Sequence, residues 1–513
     1  MSSSHVMILD SFPHNHAHVS STAARTILAK FAPKQAAVGP DALSLHLTFR
    51  STVLALRGDH VTKQPFRDAS SGSVLCWNGE AWKIGGKPVE GNDGEAVFAL
   101  LVAASSRAMG EDAVLDALRT VEGPFAIADS TSPEWSEVEA DGIYVVDLAS
   151  FDGDPKVPLA PWPWSDEPEG TVLNIGVFNT RLPPSDVPPL TATSSSVQAL
   201  REQLTESLKL RVLNVPEPPA HDAGNDTRIS VLFSGGLDCT VLARMASDLL
   251  PPEQGIDLIN VAFENPRLAS KAENSAADVN LYEACPDRIT GRKSFAELAA
   301  VCPDRRWRFI AVDVPYQEVL AHRIQVISLM YPHNTEMDLS IAYALYFAAR
   351  GIGKSQSHPS DTAVDYATPA RVLLSGLGAD ELFGGYVRHA TAFSRRGYPG
   401  LLEELKLDVG RLGKRNLGRD DRAMAHWSRE VRFPYLDEDF VKWAIECPVW
   451  QKCDYGRGEV EGEIEPGKRV LRLLAEVLGM ASVAREKKRA IQFGSRTAKM
   501  ESGKTKGTTL IAP

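Results

Sequence analysis

The chain has 513 residues, 55 basic against 66 acidic, a net charge of -11 and no long basic run, which argues against a nucleic-acid surface or an anionic membrane as its main partner. That length exceeds what one hydrophobic core covers and is read as two domains. No stretch approaches ~18 apolar residues, and the start MSSSHVMILDSFPHNHAH lacks a basic flank followed by an apolar core, so the expectation is a cytoplasmic chain with small-molecule partners, no nucleic acid and no membrane.

In chain order, His14, His16 and His18 alternate in a polar tail and are read as part of that tail, not as metal ligands. Alternating apolar residues predict strands over 43–49 and 52–58, with a further strand-rich run SVLCWNGEAWKI over 73–84 and a helix over 95–108. Proline and serine punctuate APWPWSDEPEG (160–170), LPPSDVPPL (182–190) and TATSSS, a linker that closes a first domain at 190 and opens a second over 191–513. A helix follows over 197–211. Strands and helices then alternate: RISVLF, a helix from Asp238, DLINVAF, a helix over 294–301, WRFIAVDV, helices over 315–330 and 338–350, and RVLLSG. Such alternation predicts an α/β domain with parallel strands and right-handed helical crossovers. The six cysteines (Cys76, Cys239, Cys285, Cys302, Cys447, Cys453) lack paired spacing, and most are read as reduced and structural.

Within the second domain, VLFSGGLDCTVLA (231–243) is an apolar run that breaks at Ser234, Gly235 and Gly236 and resumes after Asp238. A strand ending in Ser-Gly-Gly and feeding a helix surrounds a concavity with backbone N–H groups at the positive end of that helix, an anion site; taken alone, the bend reads equally as a tight strand-to-helix turn. A second strand ends in SGLGADELFGGY (375–386), again Ser-Gly at a strand's carboxyl end, with Asp380 and Glu381 close behind. Ligands of open parallel sheets sit at that edge, so the two turns are expected to share a pocket. Two acids beside a phosphate site repel unless a cation intervenes; Mg²⁺ held by Asp238 and Asp380 resolves this. The alternative phosphate loop is missing, because GKS at 353–355 is preceded by Ala348 where the motif needs glycine.

SGGLDCTVLA resembles the pyrophosphate loop SGGxDS of asparagine synthetases and their relatives, with Cys239 for the second serine. SGLGADELFGGY is similar to their SGEGSDExxGGY, EVRFPYLDEDFV (430–441) to the segment that follows it, and REKKRAIQFGSRTAK (485–499) to their lysine-bearing terminal segment. VLALRGDHVTKQPF, LCWNGEAW, GNDGEAVFALL and VEGPFAIA (121–128) resemble the glutaminase half of the same enzymes, and the arrangement looks closest to the asparagine synthetase domain-containing group. The resemblance implies an N-terminal nucleophile-type αββα glutaminase-like sandwich over 1–190, degenerate as sequenced, and over 191–513 a Rossmann-like parallel sheet of the PP-loop, adenine nucleotide alpha hydrolase-like kind. It implies an asparagine synthase-type ligase that uses ATP and Mg²⁺ to adenylate aspartate, with ammonia or glutamine as nitrogen donor.

By the same resemblance, Ser234, Gly235, Gly236, Asp238 and Cys239 hold pyrophosphate, Asp380 holds metal and pyrophosphate, Ser375 and Gly376 meet the nucleotide, and Leu232 and Val261 flank adenosine. Lys488, with Lys487 as runner-up, stabilises the adenylation transition state, although a solvated basic tail reads the same. Glu430 orients a nucleophile or pairs with Arg432. Asn78 and Gly79 stand at the oxyanion position of the glutaminase and Asp93 at its glutamine-amine position. His333, Asn334 and Asp338 of MYPHNTEMD line the substrate pocket, or Asn334 caps a helix.

Two departures bear on activity. Leu377 stands where asparagine synthetases carry a glutamate, and an apolar group cannot ionise or orient ammonia. Ser2 stands where the glutaminase has its N-terminal cysteine, a far stronger nucleophile, and Cys76 sits within a strand, so glutamine hydrolysis is not expected. Three readings stay open: an amide ligase of aspartate, a nucleotide-binding scaffold or regulatory protein that has lost both chemistries, and an adenylating ligase for another carboxylate. Oligomeric state leaves no trace in the sequence.

Overall fold

The computed structural model describes residues 5–9, 57–58, 60, 62–70, 73–75, 77–105, 110–123, 125–126, 142–147, 160–163, 171–172, 175–185, 187–218, 226–266, 280–412, 416–457, 464–498, 500 and 507–511. The chain divides into two compact units, Met1–Pro168 and Glu169–Pro513. In the first, His5–Leu9, Gly142–Asp147 and Ala160–Pro163 form an antiparallel sheet, and Lys83–Ile84 pairs between Lys87–Pro88 and Val121–Glu122. The helix expected over 95–108 runs Asp93–Ser105 and packs with Gly110–Arg119 over Leu75, Trp77, Val97, Leu115 and Leu118. The strand-rich run over 73–84 holds three short strands, Val74–Leu75, Asn78–Gly79 and Lys83–Ile84. The strands expected over 43–49 and 52–58 fall, but for Arg57 and Gly58, outside the described residues, and the αββα layering depends on them.

The second unit is built on a seven-stranded sheet. Numbered in chain order, the sheet strands and the main helices around them are α1 Ser195–Val212, β1 Thr227–Leu232, α2 Leu237–Leu249, β2 Gly255–Phe263, α3 Pro286–Val301, β3 Trp307–Val314, α4 Tyr316–Met330, α5 Glu336–Arg350, β4 Ile352–Gln356, β5 Val364–Ala367, β6 Val372–Leu374, α6 Ala379–Phe383, α7 Val387–Val409, α8 Gly418–Ala425, β7 Glu430–Arg432 and α9 Arg469–Val477, and further short elements complete the unit. The strand order is β5-β4-β3-β2-β1-β6-β7, parallel from β3 through β7, while β4 and β5 form an antiparallel hairpin on the β3 edge. All nine residues of β2 are buried, as expected of a parallel strand covered on two faces. Ile259, Ile310, Val312, Tyr343, Phe347 and Leu373 belong to the core packed between this sheet and its helices. GKS at 353–355 lies within β4, where Lys354 pairs with Asp365 of the neighbouring strand.

The proline-rich stretch read as a linker is fastened to this unit: Asn179 donates from its backbone N–H to the Ile445 carbonyl and from its side chain to that of Glu446, both at 2.8 Å. Among the described residues no helix is long and apolar enough to cross a membrane.

Candidate active site

β1 leaves the sheet through Phe233, Ser234, Gly235 and Gly236 into α2, and β6 leaves through Ser375, Gly376, Leu377 and Gly378 into α6. The two strands are adjacent and parallel, and the chain runs outward from them in opposite directions, β1 to β2 and β6 to β7. This is the switch point of the sheet, where two neighbouring loops diverge and leave a crevice at the strands' carboxyl ends. A cavity of about 460 Å³ opens there, lined by Ser234, Gly236 and Asp238 from the first turn and by Ser375, Gly376 and Asp380 from the second. The turns expected to share a pocket do so.

Asp238 and Asp380 face each other across one ammonium. Lys468 Nζ donates to Asp238 Oδ1 at 2.8 Å and Oδ2 at 2.9 Å, and stands 2.8 Å from Asp380 Oδ1. Lys488 donates to Asp380 Oδ2. Burial raises the cost of a charge on Asp380, yet the Lys468 and Lys488 ammoniums hold its carboxyl below the usual carboxylate range. Burial likewise opposes the charge on Lys468, and Asp238 and Asp380 reverse this and push its pKa up. Lys468 precedes α9 in a left-handed backbone conformation, φ 54°. One turn into that helix Arg472, 1 % exposed, donates at 2.8 Å to the carbonyls of Ala484 and Glu486. It ties down the segment that delivers Lys488.

Next to Asp380, burial and the Asp380 charge push the Glu381 carboxyl up to about 7, and Tyr386 donates its phenol hydrogen to Glu381 Oε1 at 2.6 Å. Asp287, at the start of α3, also lines the cavity and is 5 % exposed. Burial pushes its carboxyl up to about 7 against the pull of Arg489 and Lys488, the nearer of which, Arg489 Nη1, is 4.0 Å away. A carboxyl whose folded pKa is raised is most compatible with the fold while protonated; its penalty begins above the unfolded value of roughly 4 and is complete above 7. Asp287→Asn is therefore expected to match the wild-type chain in denaturation near pH 4 and to exceed it by on the order of 3 kcal/mol at pH 8. Urea titrations at the two pH values check this, and an equal difference at both would refute it.

Leu232, Val261 and Cys239 line the cavity with the residues above. Gly235 serves the turn itself: its φ is +81°, and its carbonyl accepts a hydrogen bond from Ser294 Oγ at 2.6 Å. Burial pushes the Cys239 thiol up, and its Sγ donates to the Gly236 carbonyl at 3.3 Å. Lys487 lines the cavity from an exposed position. Glu430 is not brought to the site: it sits on β7 and accepts a 2.5 Å bond from Arg432 Nε, the loop-fixing alternative. The cap of α5 is Thr335, whose Oγ1 accepts from Asp338 N at 3.2 Å, not Asn334, because Thr335 is the residue with extended backbone directly before the helix. Asp338 lines the cavity; His333 and Asn334 do not.

In the first unit Asn78 and Gly79 pair with Ala126 and Phe125, and Asp93 Oδ2 accepts bonds at 3.0 Å from Trp77 Nε1 and Ala81 N, so its carboxylate fixes the segment that carries them. Ser2, Cys76, His14, His16 and His18 lie outside the described residues. The other described cysteines, Cys239, Cys285, Cys302, Cys447 and Cys453, are free thiols.

Sequence reasoning missed Lys468, the cation at the centre of the site. A lysine after glycine at a helix start, among 55 basic residues, carries no local mark. It also missed Arg419, which lines the cavity and pairs with Asp338 and Asp420.

A family model described as asparagine synthase matches residues 311–403 and 395–508. Asparagine synthetase domain-containing protein 1 of Mus musculus is 31 % identical over 91 % of this chain and 92 % of its own length. An asparagine synthetase domain-containing protein of Saccharomyces cerevisiae is 31 % identical over 95 % of this chain and 92 % of its own. A putative glutamine-hydrolyzing asparagine synthetase of Methanocaldococcus jannaschii is 27 % identical over 60 % of this chain and 51 % of its own.

Proposed function

We propose, from the premise that the chain belongs to the asparagine synthetase domain-containing family, that it is an ATP-dependent ligase which adenylates the side-chain carboxylate of aspartate and transfers the acyl group to ammonia. The observation that carries this reading is the meeting of Asp238 and Asp380, from two strand-end turns, with Lys468 and Lys488. Amide formation from a carboxylate needs one oxygen made into a leaving group. In the proposed first step the aspartate carboxylate oxygen attacks the α-phosphorus of ATP and the bond to pyrophosphate breaks. In the second, the nitrogen lone pair of ammonia attacks the acyl carbon and AMP leaves.

The residues suit the first step. The opening turn of α2 has N–H groups without helical partners, and Leu237, Asp238 and Cys239 of that turn line the cavity. Lys468 and Lys488 bring two ammoniums to the position where phosphate charge develops, held in place before the reaction by the carboxylates. Asp380 Oδ1 is buried and receives no hydrogen bond, although Lys468 Nζ is 2.8 Å away; with Asp238 it makes an oxygen donor set that suits magnesium. Magnesium bound with ATP would neutralise charge on the pyrophosphate. Leu377 lines the same cavity where the family resemblance has a glutamate, which favours, as second reading, an adenylating ligase for another carboxylate.

Incubation of the chain with ATP, magnesium, L-aspartate and ammonium chloride tests the proposal. Pyrophosphate release that depends on aspartate, with asparagine formed in equal amount, is the expected result. ATP binding with no pyrophosphate under any acid would leave a nucleotide-binding scaffold, and release triggered only by a different acid would move the reading to the second one.

A further inference from the structure

One buried carboxyl on the cavity wall takes no part in the two steps above. Asp287 lies in the first turn of α3 and is 5 % exposed. Among the described residues its carboxyl receives no hydrogen bond: Arg489 keeps its Nη1 4.0 Å from Oδ1 and donates it instead to Thr290 Oγ1 at 3.3 Å. Glycine at 494, in the segment that delivers Lys488, leaves this group its space, since a Cβ there would overlap the carboxyl. A carboxyl buried with no hydrogen bond is costly, and donors entering from the cavity remove that cost.

The place of Asp287 along the cavity follows from one amide. Asn260, 1 % exposed, donates its Nδ2 to the carbonyls of Phe233 at 2.8 Å and Asp287 at 2.9 Å, and the buried Arg288 fixes that orientation by donating Nε to Asn260 Oδ1 at 2.7 Å. Asp287 is thereby tied to Phe233, the residue between the end of β1 and the Ser-Gly-Gly turn. On one side of Phe233, that turn and the opening of α2 offer N–H groups to phosphate. On the other, Leu232, Ile259 and Val261 of β1 and β2, with Leu345 and Ala348 of α5, which packs on β2, make an apolar wall that suits a purine. A nucleoside triphosphate that spans the two puts its sugar at the junction, beside Asp287.

We infer that Asp287 receives the 2′- and 3′-hydroxyls of the nucleotide's ribose and so selects ribonucleotides over deoxyribonucleotides. The inference rests on the nucleotide-binding part of the ligase reading and adds the residue that reads the sugar. Vicinal hydroxyls present two donors to the two oxygens of one carboxyl, and an acidic residue reads ribose in the same way in dinucleotide-binding folds. Hydrogen bonds to an ionised acceptor are the strong ones. A cationic ligand group would meet the charges of Lys488 and Arg489, which already act on Asp287, so neutral donors suit this position better.

Calorimetric titration of the full chain with the magnesium complexes of ATP, 2′-deoxy-ATP and 3′-deoxy-ATP, with no aspartate present, tests this on the wild type and on Asp287→Ala. ATP is expected to bind the wild-type chain at least ~10-fold more tightly than either deoxynucleotide, and the three to bind Asp287→Ala within about threefold of one another. A carboxyl that only braced the fold would change the three affinities alike and leave their ratio untouched. An alanine chain that folds and keeps the wild-type preference therefore overturns the inference. A wild-type chain that binds ATP no more tightly than the deoxynucleotides overturns it too, and so does an absence of ATP binding. Should the alanine chain not fold, Asp287→Asn, which keeps the shape and loses the charge, is read by the same ratio, and an undiminished preference counts against the inference. Pyrophosphate release measured with each nucleotide in the presence of aspartate separates the two ideas. Preference for ribose without release removes the ligase reading and leaves the sugar contact standing, while release as efficient with the deoxynucleotides as with ATP does the reverse.

Discussion

Lys468→Met is expected to lower aspartate-dependent pyrophosphate release by ~10³-fold or more. The expectation follows from what the ammonium holds apart. Asp238 and Asp380 come from turns 142 residues apart in sequence and would repel each other in the absence of a cation; Lys468, 3 % exposed at its side chain, contacts both at 2.8 Å. Methionine fills the same volume without charge or donor, so one positive group is lost from the place where phosphate charge develops, and two partly buried carboxylates lose their shared partner. Each loss is severe: removal of one preorganised donor costs on the order of 10²–10³ in rate, and breaking a buried ion pair from one side costs about 3–5 kcal/mol. Because Asp238 and Asp380 raise the Lys468 pKa, the ammonium stays charged through the neutral range, so its loss is felt equally at pH 7 and pH 9. Lys468→Arg keeps the charge but replaces a point donor by a planar fork, and is expected to fall between methionine and lysine. Initial rates for the three chains, with thermal denaturation to show that each is folded, are the measurement. A methionine chain within about tenfold of the wild-type rate would remove Lys468 from the chemistry.

How much of this could be seen in the sequence depended on how locally each feature is encoded. DLINVAF and WRFIAVDV are continuous apolar runs because both faces of their strands are covered, and β2 and β3 appear where expected. Ser-Gly-Gly and Ser-Gly-Leu-Gly mark the two turns within four residues of each strand end, so the cavity was legible too. The β4–β5 hairpin was not: IGKSQ and VDYA are polar, partly exposed edge strands without alternation, and they make the sheet mixed where parallel strands alone were expected. α3 begins at Pro286, eight residues before the expected start at 294, because Thr290, Gly291 and Arg292 interrupt its apolar pattern for reasons of tertiary contact. The ion pairs that complete the site join Lys468 to Asp238 and Arg419 to Asp338 across 230 and 81 residues, and no short motif encodes such pairs. Glu430 shows the converse. Its motif was legible, but its partner Arg432 lies two residues away, which makes the pair a local brace.

Gly291 interrupts α3 for the sake of Gly235, and substitution of Gly235 is the other change with a large expected effect. Gly235 has φ +81°, a region that costs an L-residue roughly 1–2 kcal/mol, and a Cβ placed on it would come 2.5 Å from Gly291 Cα, Gly291 N and the Thr290 carbonyl carbon. These are backbone atoms of a helix, so relief requires that the loop or α3 itself move. Ser294 Oγ, one turn further along α3, donates to the Gly235 carbonyl at 2.6 Å and would lose that bond if the loop lifted. Gly235→Ala is therefore expected to lower stability by about 3 kcal/mol or more and to displace the N–H groups around the anion site, with ATP binding lost. The neighbouring Gly236 supplies the control. Its φ of -68° suits any residue, and a Cβ there meets only Ser234 Oγ at 3.4 Å, so Gly236→Ala should stay within about 0.5 kcal/mol of the wild-type stability. Since Gly236 lines the cavity and Gly235 does not, any loss of nucleotide affinity in the Gly236 variant would come from the new methyl group standing between ligand and backbone. Urea denaturation of the two alanine chains, each with an ATP-binding isotherm, distinguishes a glycine required by the fold from one required by the ligand; equal stability of the two chains would show that the contact with α3 does not hold the loop.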